Sequence, residues 1–204
     1  MSEDADLDPE RALALTYVPR AARDRVDALW RLDERLARLG ASPSQFRKVK
    51  LAWWDEQLAG LSPRGHAEPL LAEVARRLLP AIPAAQLAGL AEAWRALDGE
   101  GPLEPHLDAR AALFPLTAHL IGAPLPAGAD GPARLWARAD LRRRRPDLVQ
   151  PLSAKPEAIR WPGPLRALGA LAIIALRDAQ AADPEPPGAP RRVARMAWHR
   201  LTGL

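Results

Sequence analysis

The chain has 204 residues, enough for one apolar core of ordinary size, and its 42 Ala and 33 Leu stand against only 14 Val, Ile and Thr together. That balance feeds helices and starves strands, so a sheet protein is excluded, and the lack of cysteine removes disulfides, thiolate metal sites and cysteine nucleophiles. The charge balance is 29 Lys plus Arg, 26 of them Arg, against 25 Asp plus Glu; a net +4 is too small an excess to point to nucleic acid.

The first ten residues, MSEDADLDPE, form an acidic tail through residue 8 with no apolar stretch, so neither a secretory signal nor a transit peptide is read there. Asp8 before Pro9 is an N-cap with a first-turn proline and opens a helix through Leu15. Pro19 opens the next, expected to run to Leu39 and stop at Gly40. On it Val26, Leu29, Leu32, Leu36 and Leu39 make one apolar stripe, with Asp27/Arg31 and Glu34/Arg38 pairing across the solvated back. Ser42, Pro43 and Gln45 read as a capping box that starts a third helix ending before Gly60. Two apolar stripes nearly encircle that helix, Phe46, Val49 and Trp53 on one side and Leu51, Trp54 and Leu58 on the other, which predicts packing from more than one direction. Trp53 and Trp54 point about 100° apart on a helix, so either both enter the core or one lines a cleft, in company with Lys50, Asp55 and Glu56.

Further helices are predicted over Ala67–Leu79, Pro83–Leu97, and Pro105–Ile121 with a kink at Pro115. Asp130 to Pro146, Pro164 to Ala181 and the basic segment Arg191–Leu201 complete the set, the last joined by a stiff proline-rich linker over residues 181–190. The longest apolar run, Leu165 to Leu176, spans 12 residues, short of the ~20 that a membrane crossing needs. A cytoplasmic protein of a single all-α domain is the expectation.

The segment Leu13–Leu39 followed by KLAWWDEQL at Lys50–Leu58 resembles the opening of the squalene/phytoene synthase family, whose members carry a helix of the form LLP…R…LxALYAFCR and then RLxWWRxxL. Lys50, Leu51, Trp53, Trp54 and Leu58 match the tryptophan motif, with Lys for its leading Arg and Asp55 for its second. The closing segment PRRVARMAWHRLTGL is similar to the family's basic C-terminal helix, and Trp161–Asp178 to its penultimate one. The resemblance implies a helical bundle of the all-α isoprenoid (trans-prenyl) synthase type, with Asp33, Lys50, Trp53, Trp54 and Arg142 as candidate cavity residues.

Members of that family join two prenyl diphosphates through Mg²⁺ held by aspartates at i and i+4 on facing helices, a spacing that puts both carboxylates on one face. Here the first motif falls near Ala37, Arg38 and Ala41, where no carboxylate stands; Asp33 and Glu34 lie one turn earlier without an acidic partner four residues on. The second falls around Ala139–Asp147, where Arg142 and Asp147 match but Arg143 replaces the first aspartate. Acidic i, i+4 pairs occur only at Asp4/Asp8, Asp6/Glu10, Glu100/Glu104 and Glu104/Asp108. The expectation is a member without catalytic residues and without a cofactor. Its partner would be a protein or an isoprenoid lipid, as for the family's non-catalytic relatives, which include a respiratory complex I assembly factor. The alternatives are an active Mg²⁺-dependent head-to-head prenyltransferase and a basic helical module for anionic lipid or nucleic acid.

Four histidines, His66, His106, His119 and His199, lack metal spacing, and no serine, Ser153 included, sits in a hydrolase motif. The run Arg142–Arg145 reads as a solvated helix end whose cations complement the C-terminal dipole. A lipid headgroup contact at the inner face of a membrane, aided by Met196 and Trp198, is the second reading of that run, and nucleic acid the third.

Overall fold

The computed structural model describes residues 7–42, 45–98, 101–150 and 159–203. Residues 1–6 of the acidic tail, Pro43 of the expected capping box, Gly99, Glu100 and Ser153 lie outside them. Among the described residues every regular element is a helix: α1 Pro9–Leu15, α2 Arg20–Ala41, α3 Arg47–Ala59, α4 Pro69–Leu78, α5 Ala84–Arg95, α6 Glu104–Ala111, α7 Leu113–Ile121, α8 Asp130–Arg144, α9 Arg166–Gln180 and α10 Pro190–Thr202. None of them is long and apolar enough to cross a membrane.

Local chemistry explains most boundaries. The Asp8 carboxylate accepts from the backbone N–H of Glu10 at 2.9 Å and Arg11 at 3.0 Å, and Pro9 occupies the first turn of α1. The predicted helix over 105–121 divides at Ala112. Pro115 lacks an N–H and its ring crowds the carbonyl four residues back, that of Ala111, where α6 ends. Gly122, at φ 77°, closes α7 in the left-handed conformation that glycine adopts without strain.

Two start and stop signals are overridden. Ser42 is the C-cap of α2, and α3 begins at Arg47 behind Phe46 rather than at Pro43. Gly40 lies inside α2, where its missing side chain admits the Trp94 ring of α5; a Cβ there would come 2.2 Å from Trp94 Cε3. The glycine answers to a tertiary contact, which chain-local reading takes for a helix stop.

The long helix α2 is the axis, packed by α1, α3, α4, α5 and α7, while α8, α9 and α10 stack in sequence and α6 bridges α5 to α8. One apolar cluster runs from Ala14 to Met196 and includes Val26, Leu29, Leu32 and Leu36 of the predicted α2 stripe. The helix α3 departs from expectation. Its Leu51, Trp54 and Leu58 stripe is buried, but the second stripe faces outward, Phe46 58%, Val49 67% and Trp53 41% exposed. Helix α3 is therefore covered on one side, by α5 and α2, and not encircled.

Candidate functional site

Helices α1, α2, α6, α8, α9 and α10 bring charge into the protein interior. Five carboxylates, Glu10, Asp33, Glu34, Asp140 and Asp178, meet five guanidinium groups, those of Arg11, Arg110, Arg143, Arg144 and Arg192. All five acids, and Arg11, Arg110 and Arg192, are buried. Arg110 is the hub of one half, donating to Asp33 and to Asp140 at 2.6 Å each. Arg11 adds a second contact to Asp33 at 2.8 Å, and Arg144 joins Glu34 at 2.8 Å to Asp140 at 3.1 Å. In the other half Arg192 of α10 holds both Glu10 of α1 and Asp178 of α9. Arg143 connects the halves, 3.3 Å from Glu10 and 3.5 Å from Asp140.

Aromatic rings seal the layer. The Arg110 guanidinium lies 4.7 Å from the centre of the Trp94 ring and 5.0 Å from that of Trp136, and Arg11 lies 5.2 Å from Trp136. The Trp30 indole N–H donates to Thr117 Oγ1 at 3.0 Å. Beside the network, between Arg11, Trp136, Arg143 and Asp178, the remaining space measures about 10 Å³, near the minimum for a single water. Neither a diphosphate nor a prenyl chain fits it.

Burial by itself would push the Asp140 and Glu34 carboxyls up. The surrounding arginines, Arg144, Arg110 and Arg11 for Asp140 and Arg11 and Arg144 for Glu34, bring both below the usual carboxylate range. Glu10 is lowered in the same way by Arg192 and Arg143. His106, buried against Trp94 with Nδ1 2.7 Å from the Ala93 carbonyl, is pushed down to about 4, chiefly by loss of water and further by Arg110. Asp140, Glu34 and Glu10 are thus ionised and the His106 imidazole neutral near pH 7, so none of these four is poised to exchange a proton there.

Magnesium does not fit these residues. Each carboxylate already faces guanidinium nitrogens, and a divalent ion would have to displace arginines that each bridge two or more of these acids and would add its charge beside theirs. Among the described residues no group of three or more His, Asp or Glu side chains is arranged to hold a metal.

Of the sequence-derived candidates, only Asp33 lies in this layer. Arg142 instead donates to the Asp178 and Ala181 carbonyls at 2.7 Å each and to Ala182 at 2.9 Å, fastening the C-terminus of α9 and the start of the linker. Trp54 is in the core, Trp53 stands against it edge-on at 5.6 Å on the surface, and Lys50 is exposed. Asp55 pairs with Arg95 of α5. The structure therefore does not bring Asp33, Lys50, Trp53, Trp54 and Arg142 to one cavity.

Two surface assignments are corrected as well. Glu34 pairs with Arg38 at 3.1 Å as its spacing predicts, yet it is buried because Arg144 and Arg11 also reach it. The run Arg142–Arg145 is not a solvated end: its members bind carbonyls, Glu10, Asp178, Asp140, Glu34 and Asp147, which leaves no free basic patch for lipid or nucleic acid there. Met196 is wholly buried, so it takes no part in a lipid contact.

The layer's other members left a trace in the sequence. Arg192 falls on the stripe Arg192, Met196 and His199, Arg110 on the same face as His106 and Leu107, and Asp178 in phase with Leu171 and Ile174. A charge occupying an apolar phase is the sign of an inward ion pair. No protein-family model, curated protein or solved structure matches this chain.

Proposed function

We propose that this protein is a non-catalytic relative of the squalene/phytoene synthases that works by binding a protein partner. The likeness rests on KLAWWDEQL and on the opening and closing helices; the loss of catalysis rests on one observation, the closed layer of five carboxylates and five guanidinium groups. Ionising an allylic diphosphate demands cations gathered around the leaving group, and those cations need carboxylate oxygens turned toward a cavity. Here Glu34 is followed four residues later by Arg38, and Asp140 by Arg144, so each acidic position carries its own counter-charge on the same helix face. Arginine supplies the positive charge that metal would otherwise bring, but as part of the scaffold.

The space of only about 10 Å³ left beside the charged layer also favours a protein partner over an isoprenoid enclosed there. Exposed Phe46, Val49 and Trp53 give α3 the apolar and aromatic area that protein contacts use. The test is to incubate the purified chain with farnesyl or geranylgeranyl diphosphate and Mg²⁺. No pyrophosphate release is expected, and Mg²⁺-dependent release would overturn the reading. Mass spectrometry of an organic extract of the protein separates the two kinds of partner: a clean extract is expected, whereas a stoichiometric polyisoprenoid would replace the protein partner with a lipid.

A further inference from the structure

The helix α10 has its polar and apolar faces arranged for two different neighbours. Arg192, Met196 and His199 turn inward onto α9 and α1. At ~100° per residue, Val193, Ala194, Ala197, Trp198 and Leu201 fall together in an arc of roughly 140° on the opposite side. All five are exposed, Trp198 by 64% and Leu201 by 74%. A helix that already satisfies its core with one face has no internal use for a second apolar face of that width.

The edges of the stripe are basic. Arg191 and Arg195 border it on one side and Arg200 on the other, and α10 contains no acidic residue. Arg191 is highly exposed and lies 3.9 Å from Glu185. Arg195 shares a cleft of about 480 Å³ with Arg177 and Arg191, and neither Arg195 nor Arg177 has an ion-pair partner among the described residues. Asp183 and Glu185 stand at the same cleft and temper, without cancelling, its positive potential.

We propose that α10 lies on an anionic lipid surface, with Trp198 and Leu201 entering the acyl boundary and Arg191, Arg195 and Arg200 at the phosphates. An apolar stripe bordered by arginines on both sides, with an aromatic ring among its members, is the composition of a helix lying in the membrane plane. A complementary protein groove would need acids on both flanks to answer the same arginines, whereas an anionic bilayer presents negative charge all around an inserted helix. The surface uses none of the residues proposed to abolish catalysis, so vesicle binding and pyrophosphate release are read independently.

The experiment is co-sedimentation of the full chain with phosphatidylglycerol/phosphatidylcholine vesicles and with phosphatidylcholine alone. The intact protein is expected to partition onto the anionic vesicles and only weakly onto the neutral ones, with binding falling as salt rises. Charge removal in R191A/R195A should lower partitioning about thirtyfold, at roughly tenfold per 1.4 kcal/mol and about 1 kcal/mol per arginine. The variant W198E/L201E should abolish it while leaving the urea midpoint within the range of a surface change. If that variant proves unstable, W198A/L201A gives the same reading with a smaller loss. Equal binding to neutral vesicles, unchanged binding by these variants, or no binding by the intact chain would overturn the proposal. Absence of vesicle binding together with a dimer that W198E/L201E dissolves would assign the stripe to a second copy of the chain instead.

Discussion

Two regions of this molecule exchange the usual places of polar and apolar groups. Between α1, α2, α6, α8, α9 and α10, ten charged side chains are drawn into contact, eight of them buried, and each finds an opposite charge. On the outer faces of α3 and α10, six large apolar side chains, Phe46, Val49, Trp53, Val193, Trp198 and Leu201, stand in solvent. The interior charges are tolerable because they are matched, and the layer is held by mutual dependence: remove one partner and the others are stranded without water. Of the exterior residues Trp53 still meets Trp54 and His66 edge-on, and the area the six leave exposed is open to contacts from outside the fold.

The sharpest way to break this contrast is at the hub. Arg110→Ala leaves Asp33 and Asp140 facing each other without their shared cation and is expected to cost about 3–5 kcal/mol in urea unfolding. The triple replacement Asp33→Leu, Arg110→Met, Asp140→Leu removes these three charges together but also takes an acid from Arg11 and from Arg144, so it should recover only part of that loss. A single variant no less stable than the parent would show that the layer is not closed to water.

Acid probes the same region more gently. His106 has a folded pKa near 4 against an unfolded value of 6.5, so between those limits the unfolded chain takes up a proton that the folded one refuses. Stability is therefore full above pH 6.5 and falls toward pH 4, by roughly 2–3 kcal/mol from this group. Below about pH 4.5 the lowered carboxyls of Glu10, Glu34 and Asp140 extend the loss as the unfolded acids begin to bind protons first. Urea midpoints measured from pH 7 to 4 should show the upper part of this slope disappear in His106→Gln while the lower part remains.

The smallest effects belong to the outside. Trp53→Ala should cost only about 0.5–1 kcal/mol, the worth of its edge contact with Trp54, and Lys50→Ala should lie within about 0.5 kcal/mol of the parent. A loss at Trp53 as large as that at Arg110 would mean that α3 is more deeply packed than its exposure indicates.

The helices were legible because their causes are local. Alanine and leucine abundance, the Asp8 cap, Pro115 and the apolar stripe of α2 act within one or two turns, where i→i+4 hydrogen bonds decide the outcome. The burial of Trp54 beside exposed Trp53 needed more than spacing, since both stripes of α3 are apolar and only the arrival of α5 chooses between them. Gly40 misled because its reason, the ring of Trp94, lies far along the chain.

By itself, then, the sequence determined an all-helical chain without cysteine chemistry and with no acidic i, i+4 pair on α2 or α8. Tertiary structure alone decided that Arg110 neutralises Asp33, 77 residues distant, and that the Arg142–Arg145 run turns inward and not to solvent. The physical reason is range. A helix is fixed by neighbours a turn away, but an ion pair is fixed by whichever charge the packed helices carry into the interior beside it.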